Sequence, residues 1–98
     1  MAASKLRYED KLGRAGNFSP WKERIYIFLK PNGLWEFAST KIRVPTDATQ
    51  AAKHRLKDVR TRGIILDSVK DHVMPHIIGK DTTHKMWTTL ISLYQSSN

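Results

Sequence analysis

Residues 46–74 read TDATQAAKHRLKDVRTRGIILDSVKDHVM, and the repeat of their apolar positions decides which fold this chain can adopt. Leu56, Val59, Gly63, Leu66, Val69 and Val73 follow one another at spacings of three and four, the repeat of one helix face. Ile65 joins Val69 and His72 on the adjoining edge. Asp47 stands three residues before Gln50, the pattern of a reciprocal cap in which each side chain takes up a free N–H of the other. Pro75 lacks the N–H that would extend the ladder, so the spacing predicts one long helix from about Thr46 to about Met74. Gly63 inside that helix costs ~1 kcal/mol against alanine, which implies the close approach of another helix there.

Working towards the N-terminus, Ser39 to Pro45 is a connecting loop, with Ile42 and Val44 alternating with charge as a short strand would. Leu34 to Ala38 is too short for periodicity to decide and is read as a helical turn or two. Phe18-Ser19-Pro20-Trp21 opens a helix: Ser19 can accept free N–H groups, and Pro20 loses nothing at the first helical position. Trp21, Ile25, Phe28 and Leu29 form its apolar stripe; Pro31 ends it and Asn32-Gly33 turns the chain. Residues 1–17 show no period and are read as an extended arm. Towards the C-terminus, Asp81 or Thr82 caps a last helix whose face holds Met86, Trp87, Leu90, Ile91, Leu93 and Tyr94; Ser96-Ser97-Asn98 loses the pattern. The expected architecture is all-α: a small bundle of about four helices over residues 18–98, with one long central helix. Its core is expected to comprise Trp21, Ile25, Leu29, Leu34, Trp35, Leu66, Val69, Trp87, Leu90 and Tyr94.

Ninety-eight residues make one small domain. Such a chain buries somewhat over ~60% of its unfolded surface, enough for one helical core but not for a deep substrate cleft as well. With no cysteine, disulfides and thiolate zinc sites are excluded. No apolar run approaches the ~18 residues that span a bilayer, and Met1 to Arg14 holds no apolar signal core, so a cytoplasmic protein without membrane contact is expected. Seventeen Lys and Arg against nine Asp and Glu give a net charge of +8, which favours acidic partners such as nucleic acid.

Several residues invite a chemical role. Lys53, Arg55, Lys57, Arg60 and Arg62 crowd positive charge onto the long helix, and Lys53, Lys57 and Arg60 share a face. They could contact RNA phosphates; the plainer alternative is a solvated face relieved by Asp47 and Asp58. His72 and His76 have the i, i+4 spacing of a metal pair, but no third ligand follows, and they are better read as cations at a helix C-terminus. Ser19, Ser39, Ser68 and Ser92 have no evident His/Asp partners, and no phosphate-cradling loop appears, so no catalytic residue, cofactor or small-molecule substrate is expected. Trp21, Trp35 and Trp87 could anchor an interface, but each lies on the apolar stripe of its own element and is read as core.

Four short motifs in order carry a family resemblance. Asn17-Phe18-Ser19-Pro20-Trp21-Lys22-Glu23-Arg24-Ile25, then Gly33-Leu34-Trp35-Glu36, resemble the opening of the copia-type retrotransposon Gag polypeptide. Ile64-Ile65-Leu66-Asp67-Ser68-Val69 with Pro75-His76-Ile77, and Thr82 to Leu90 with Leu93-Tyr94-Gln95-Ser96, are similar to its later helix and closing motif. Arg43 to Thr46, Thr83-His84 and Gly63 depart from the family pattern, and neither the further helices nor the Cys-Cys-His-Cys zinc knuckle common in the family follows. The resemblance implies a fold like a retroviral capsid N-terminal domain. It also implies a structural protein that associates with itself and related Gag chains and, in full-length form, builds intracellular particles around RNA. A shortened or host-adopted Gag-derived interaction domain is the alternative.

Overall fold

The computed structural model describes residues 6–95; Met1 to Lys5 of the N-terminal arm and the closing Ser96 to Asn98 lie outside it. Five helices follow in order: α1 (Phe18–Leu29), α2 (Trp35–Ser39), α3 (Ala48–Asp67), α4 (Met74–Ile77) and α5 (Thr83–Tyr94). Two 3-10 turns, Tyr8–Asp10 and Ala15–Asn17, precede α1. Among the described residues there is no strand, and the loop carrying Ile42 and Val44 is irregular.

The helix ends show why these residues stop where they do. Residues Ala15–Asn17 run straight into α1, so helix geometry begins at Phe18, and Ser19 and Pro20 sit within the first turn instead of capping it. Asn17 Oδ1 is occupied elsewhere, accepting from the Gly13 and Arg14 amides at 3.2 Å each. At the other end of α1, Leu34 N donates to Leu29 O (3.0 Å) and Gly33 N to Lys30 O (3.2 Å), with Gly33 at φ 71°. This is the left-handed glycine cap, sealed by contact-forming leucines on both sides of the turn. Asp47 Oδ2 accepts from Gln50 N (2.9 Å) to start α3, and Thr82 Oγ1 accepts from Lys85 N (3.2 Å) to start α5.

The long helix is shorter than its periodicity predicts, ending at Asp67 instead of near Met74. Three hydrogen bonds replace the missing turns. Ser68 Oγ donates back to Ile65 O at 2.8 Å, a local competitor to the helix ladder. Leu12 N donates to Ser68 O (3.0 Å) and Lys70 N to Leu12 O (2.9 Å), so Leu12 and Val69 form an isolated parallel bridge. Pro75 then sits in the first turn of the short α4, where its absent N–H is harmless, and starts a helix instead of ending one. The bundle consequently has five helices where the periodicity suggests about four.

The core is aromatic and centres on α5, which packs against α2, α3 and α4. Trp21 stacks on Trp87 at 5.5 Å between centroids and on Phe18 at 5.9 Å, while Trp35 meets Trp87 edge-on at 5.3 Å. Trp21, Ile25, Leu29, Leu34, Val69, Trp87 and Leu90 are buried; Trp35, Leu66 and Tyr94 are half-buried and pack against them. Trp21 Nε1–H donates to Ser68 O at 2.8 Å, fixing α1 to the end of α3. Leu12, which carries no periodic signal, is fully buried among these residues, so the stretch read as an arm contributes to the core.

Candidate assembly surface

The helix α3 turns the opposite side to solvent from the one its apolar repeat indicates. Leu56 is 70% exposed and Val59 53%, while Ala51, Thr61, Ile64 and Ile65 face inward. The inward Asp58 and Thr61 are tolerated because both are hydrogen-bonded. Thr61 Oγ1 donates to Lys57 O at 2.7 Å. Asp58 Oδ1 accepts the Thr83 amide at 3.0 Å, and Asp58 O accepts the Thr83 hydroxyl at 3.0 Å. A carboxylate on α3 thus caps the first turn of α5, and that side of the helix must face the bundle. A Cβ built on Gly63 would meet nothing within 4 Å, so no helix of this chain approaches the glycine as the sequence implied.

The five cations singled out on α3 do not behave alike. Lys53, Arg55, Lys57 and Arg60 are exposed, and none enters an ion pair among the described residues. Arg62 is half-buried: Nε lies 3.4 Å from Asp58 Oδ2 and a terminal N–H donates to Lys80 O at 3.3 Å. Arg62 therefore buttresses the α3–α5 junction, and the remaining four form the free basic surface. Neither Asp47 nor Asp58 forms an ion pair with those four among the described residues: Asp47 caps α3, and Asp58 faces inward beside Arg62.

Beside this face, α3 and the 40–47 loop enclose a groove of about 300 Å³ lined by Phe37, Ile42, Val44, His54, Val59 and His84 among others. Its floor is braced by His84 Nδ1, 2.9 Å from Ala38 O, and by Phe37 against the His54 ring at 5.0 Å. His72 and His76 do not share a helix, since α4 begins at Met74, and His72 Nε2 lies 2.7 Å from Gly13 O, binding the N-terminal stretch instead of capping α3. Among the described residues no three metal-ligating side chains gather. Among the described residues no helix is long and apolar enough to cross a membrane. The exposure of Leu56 and Val59 was missed because an apolar repeat says which residues share a face, not which face is inward; the stripe of Ala51, Asp58, Thr61, Ile65 and Ser68 was the competing signal.

Comparison with known proteins places this surface in context. Residues 25–98 match the family described as the gag-polypeptide of LTR copia-type. The chain belongs to that family. A curated relative, the "Retrovirus-related Pol polyprotein from transposon TNT 1-94" of Nicotiana tabacum, is 32% identical over 94 residues, which is 95% of this chain and 7% of the relative. The copia-type Gag chain thus spans a small fraction of that polyprotein's length. No solved structure matches. In this Gag chain Trp87 joins the other two tryptophans of the sequence motifs, stacking on the buried Trp21 and meeting the half-buried Trp35 edge-on, and the basic α3 face stands outside them.

Proposed function

We propose that this Gag-type chain is a non-enzymatic structural unit that associates with copies of itself and, as part of a longer polypeptide, contributes to particles enclosing element RNA. The observation that carries the reading is the division of its apolar residues. The three tryptophans pack into or against the core, yet Leu56 and Val59 remain exposed one turn apart, with Val59 and the exposed Val44 lining a groove. Exposed apolar clusters rimmed by polar groups mark interaction sites. The family membership supplies the class of role, and a small helical unit with more than one free face can build closed or open arrays. Sedimentation velocity over a concentration series is the test. Reversible association rising with concentration supports the proposal, and a strict monomer of 11.3 kDa at millimolar concentration refutes it.

A second reading, RNA contact through Lys53, Arg55, Lys57 and Arg60, is favoured by their freedom from internal ion pairs. Phosphate contact makes affinity fall steeply with salt. Reversing Lys53, Lys57 and Arg60 together should flatten the salt dependence of poly(U) binding; an unchanged slope ends this second reading.

A further inference from the structure

From the placement of exposed apolar residues and unpaired charges, we infer that self-association is head-to-tail: the basic α3 face of one copy docks on the α1 face of the next, around Ile27 and Glu23. The inference rests on the self-association reading above and names its two surfaces.

The first surface is the outer side of α3. Leu56 and Val59, one turn apart, are flanked by Lys53, Lys57 and Arg60 on one side of the helix and by Arg55 on the other, and Val59 lines the groove together with Val44. At Gly63 the helix backbone is open to solvent with nothing within 4 Å of a Cβ position, which gives an incoming helix room to close in. Nothing in the internal packing accounts for these features.

A two-fold contact of this face with itself is disfavoured by charge. It would bring Lys53, Lys57 and Arg60 of both copies against one another, and like charges across a contact are repulsive. The complementary surface must offer an apolar anchor beside an unpaired carboxylate. Besides Leu56, Val59 and Val44, the exposed large apolar residues are Tyr8, Ile27, Ile78 and Leu93. Ile78 neighbours His76 and Lys80, with the nearby Asp81 already paired to Lys85 at 2.9 Å, and Leu93 lies among Ser92 and Thr89, so neither offers an unpaired acid. Tyr8 has the Lys70 ammonium 4.5 Å from its ring, and the carboxylates beside it, Glu9 and Asp10, are both paired with Arg7.

Ile27, 59% exposed, meets the requirement. It lines an open hollow on α1 with Leu6, Pro20, Arg24 and Glu23, one helical turn before it. The neighbouring Arg24 is matched by Asp10 at 3.8 Å, leaving Glu23 as the carboxylate of that hollow with no ion pair among the described residues. This hollow shares no residue with the groove beside α3, so one molecule can use both surfaces at once. Two different surfaces in contact make a heterologous interface, which extends into rings or filaments instead of stopping at a dimer.

The test uses the full 98-residue chain and two variants at exposed positions, Leu56→Asp and Ile27→Asp, each checked for unchanged helicity by circular dichroism. By sedimentation velocity, each variant alone should associate at least tenfold more weakly than wild type, because every contact in it lacks one good surface. An equimolar mixture should form a dimer and nothing larger, since the intact α1 face of one variant meets the intact α3 face of the other. Wild-type-like association of both variants overturns the head-to-tail contact while leaving self-association standing. Loss in Leu56→Asp alone, with no rescue on mixing, overturns it in favour of a two-fold α3 contact. A wild-type chain that stays monomeric but binds poly(U) through Lys53 and Arg60 overturns the self-association reading itself and gives the face to RNA.

Discussion

Replacing Trp21 with phenylalanine separates the two things that residue does. The side chain is fully buried, stacks on Phe18 and Trp87, and donates its indole N–H to Ser68 O at 2.8 Å. Phenylalanine keeps the stacking ring but loses the donor and the second ring. Ser68 O still accepts from Leu12 N at 3.0 Å, so the carbonyl is not orphaned and the lost bond costs only the ordinary net ~1 kcal/mol. The space left beside Trp87 adds about 1–2 kcal/mol as a partly relaxed cavity. The total, about 2–3 kcal/mol, compares with about 5–15 kcal/mol for a whole domain of this kind. Urea unfolding followed by far-ultraviolet circular dichroism should show the midpoint falling with an unchanged slope. In a thermal scan, each kcal/mol lowers Tm by about 4–8 °C. Trp21→Ala should lose about 3–5 kcal/mol from lost burial and the cavity together. A Trp21→Phe chain within ~0.5 kcal/mol of wild type, the range of an ordinary surface change, would refute the assignment of Trp21 to the core.

Other outcomes follow from the same structure. Gly63→Ala should raise stability by roughly 0.5–1 kcal/mol in chemical denaturation, because the site is helical and a Cβ there has open space; a loss would mean an unseen clash. Asp58→Ala removes the cap on Thr83 N and the carboxylate beside Arg62, and should cost about 1–2 kcal/mol, with a stability equal to wild type counting against the α3–α5 junction. Asp81 is held below the usual carboxylate range by its hydrogen bond to Lys85 at 2.9 Å and that ammonium's charge. Its small contribution is therefore present above the unfolded-chain carboxylate pKa and lost as pH falls through the lowered native value. The stability gap between Asp81→Asn and wild type should be seen at neutral pH and low salt and vanish in strong acid, and a gap that persists in acid would assign the effect to something other than this ion pair.

The helices were legible in the sequence because caps, prolines and apolar spacing agree locally. Asp47 starts α3, Gly33 closes α1 and Thr82 starts α5 through short-range bonds that a linear reading can anticipate. The copia-type Gag family was legible for a related reason: its motifs are strings of residues around the tryptophans. What escaped was everything set by distant partners. Val69 leaves the helix because Leu12, 57 positions away, pairs with it; no window of sequence contains both. The orientation of α3 escaped because Asp58 is held inward by the distant Thr83 amide, and Thr61 is satisfied within its own helix by Lys57 O, bonds that a hydrophobicity pattern cannot register. The same inversion made Leu56 and Val59 resemble core residues, and so concealed the apolar centre of the basic face. Among the five cations, Arg62 could not be separated from the rest until its distance to Asp58 was known.

The division between an inward tryptophan cluster and an outward α3 face is tested most directly by the amide and indole resonances of the nitrogen-15-labelled chain, followed from dilute to millimolar concentration. The Trp21 indole N–H should stay unshifted and protected from solvent exchange throughout, while Leu56, Lys57, Val59 and Arg60 shift together with Glu23 and Ile27 as copies associate. Shifts concentrated at the tryptophan indoles, with α3 silent, would contradict the account.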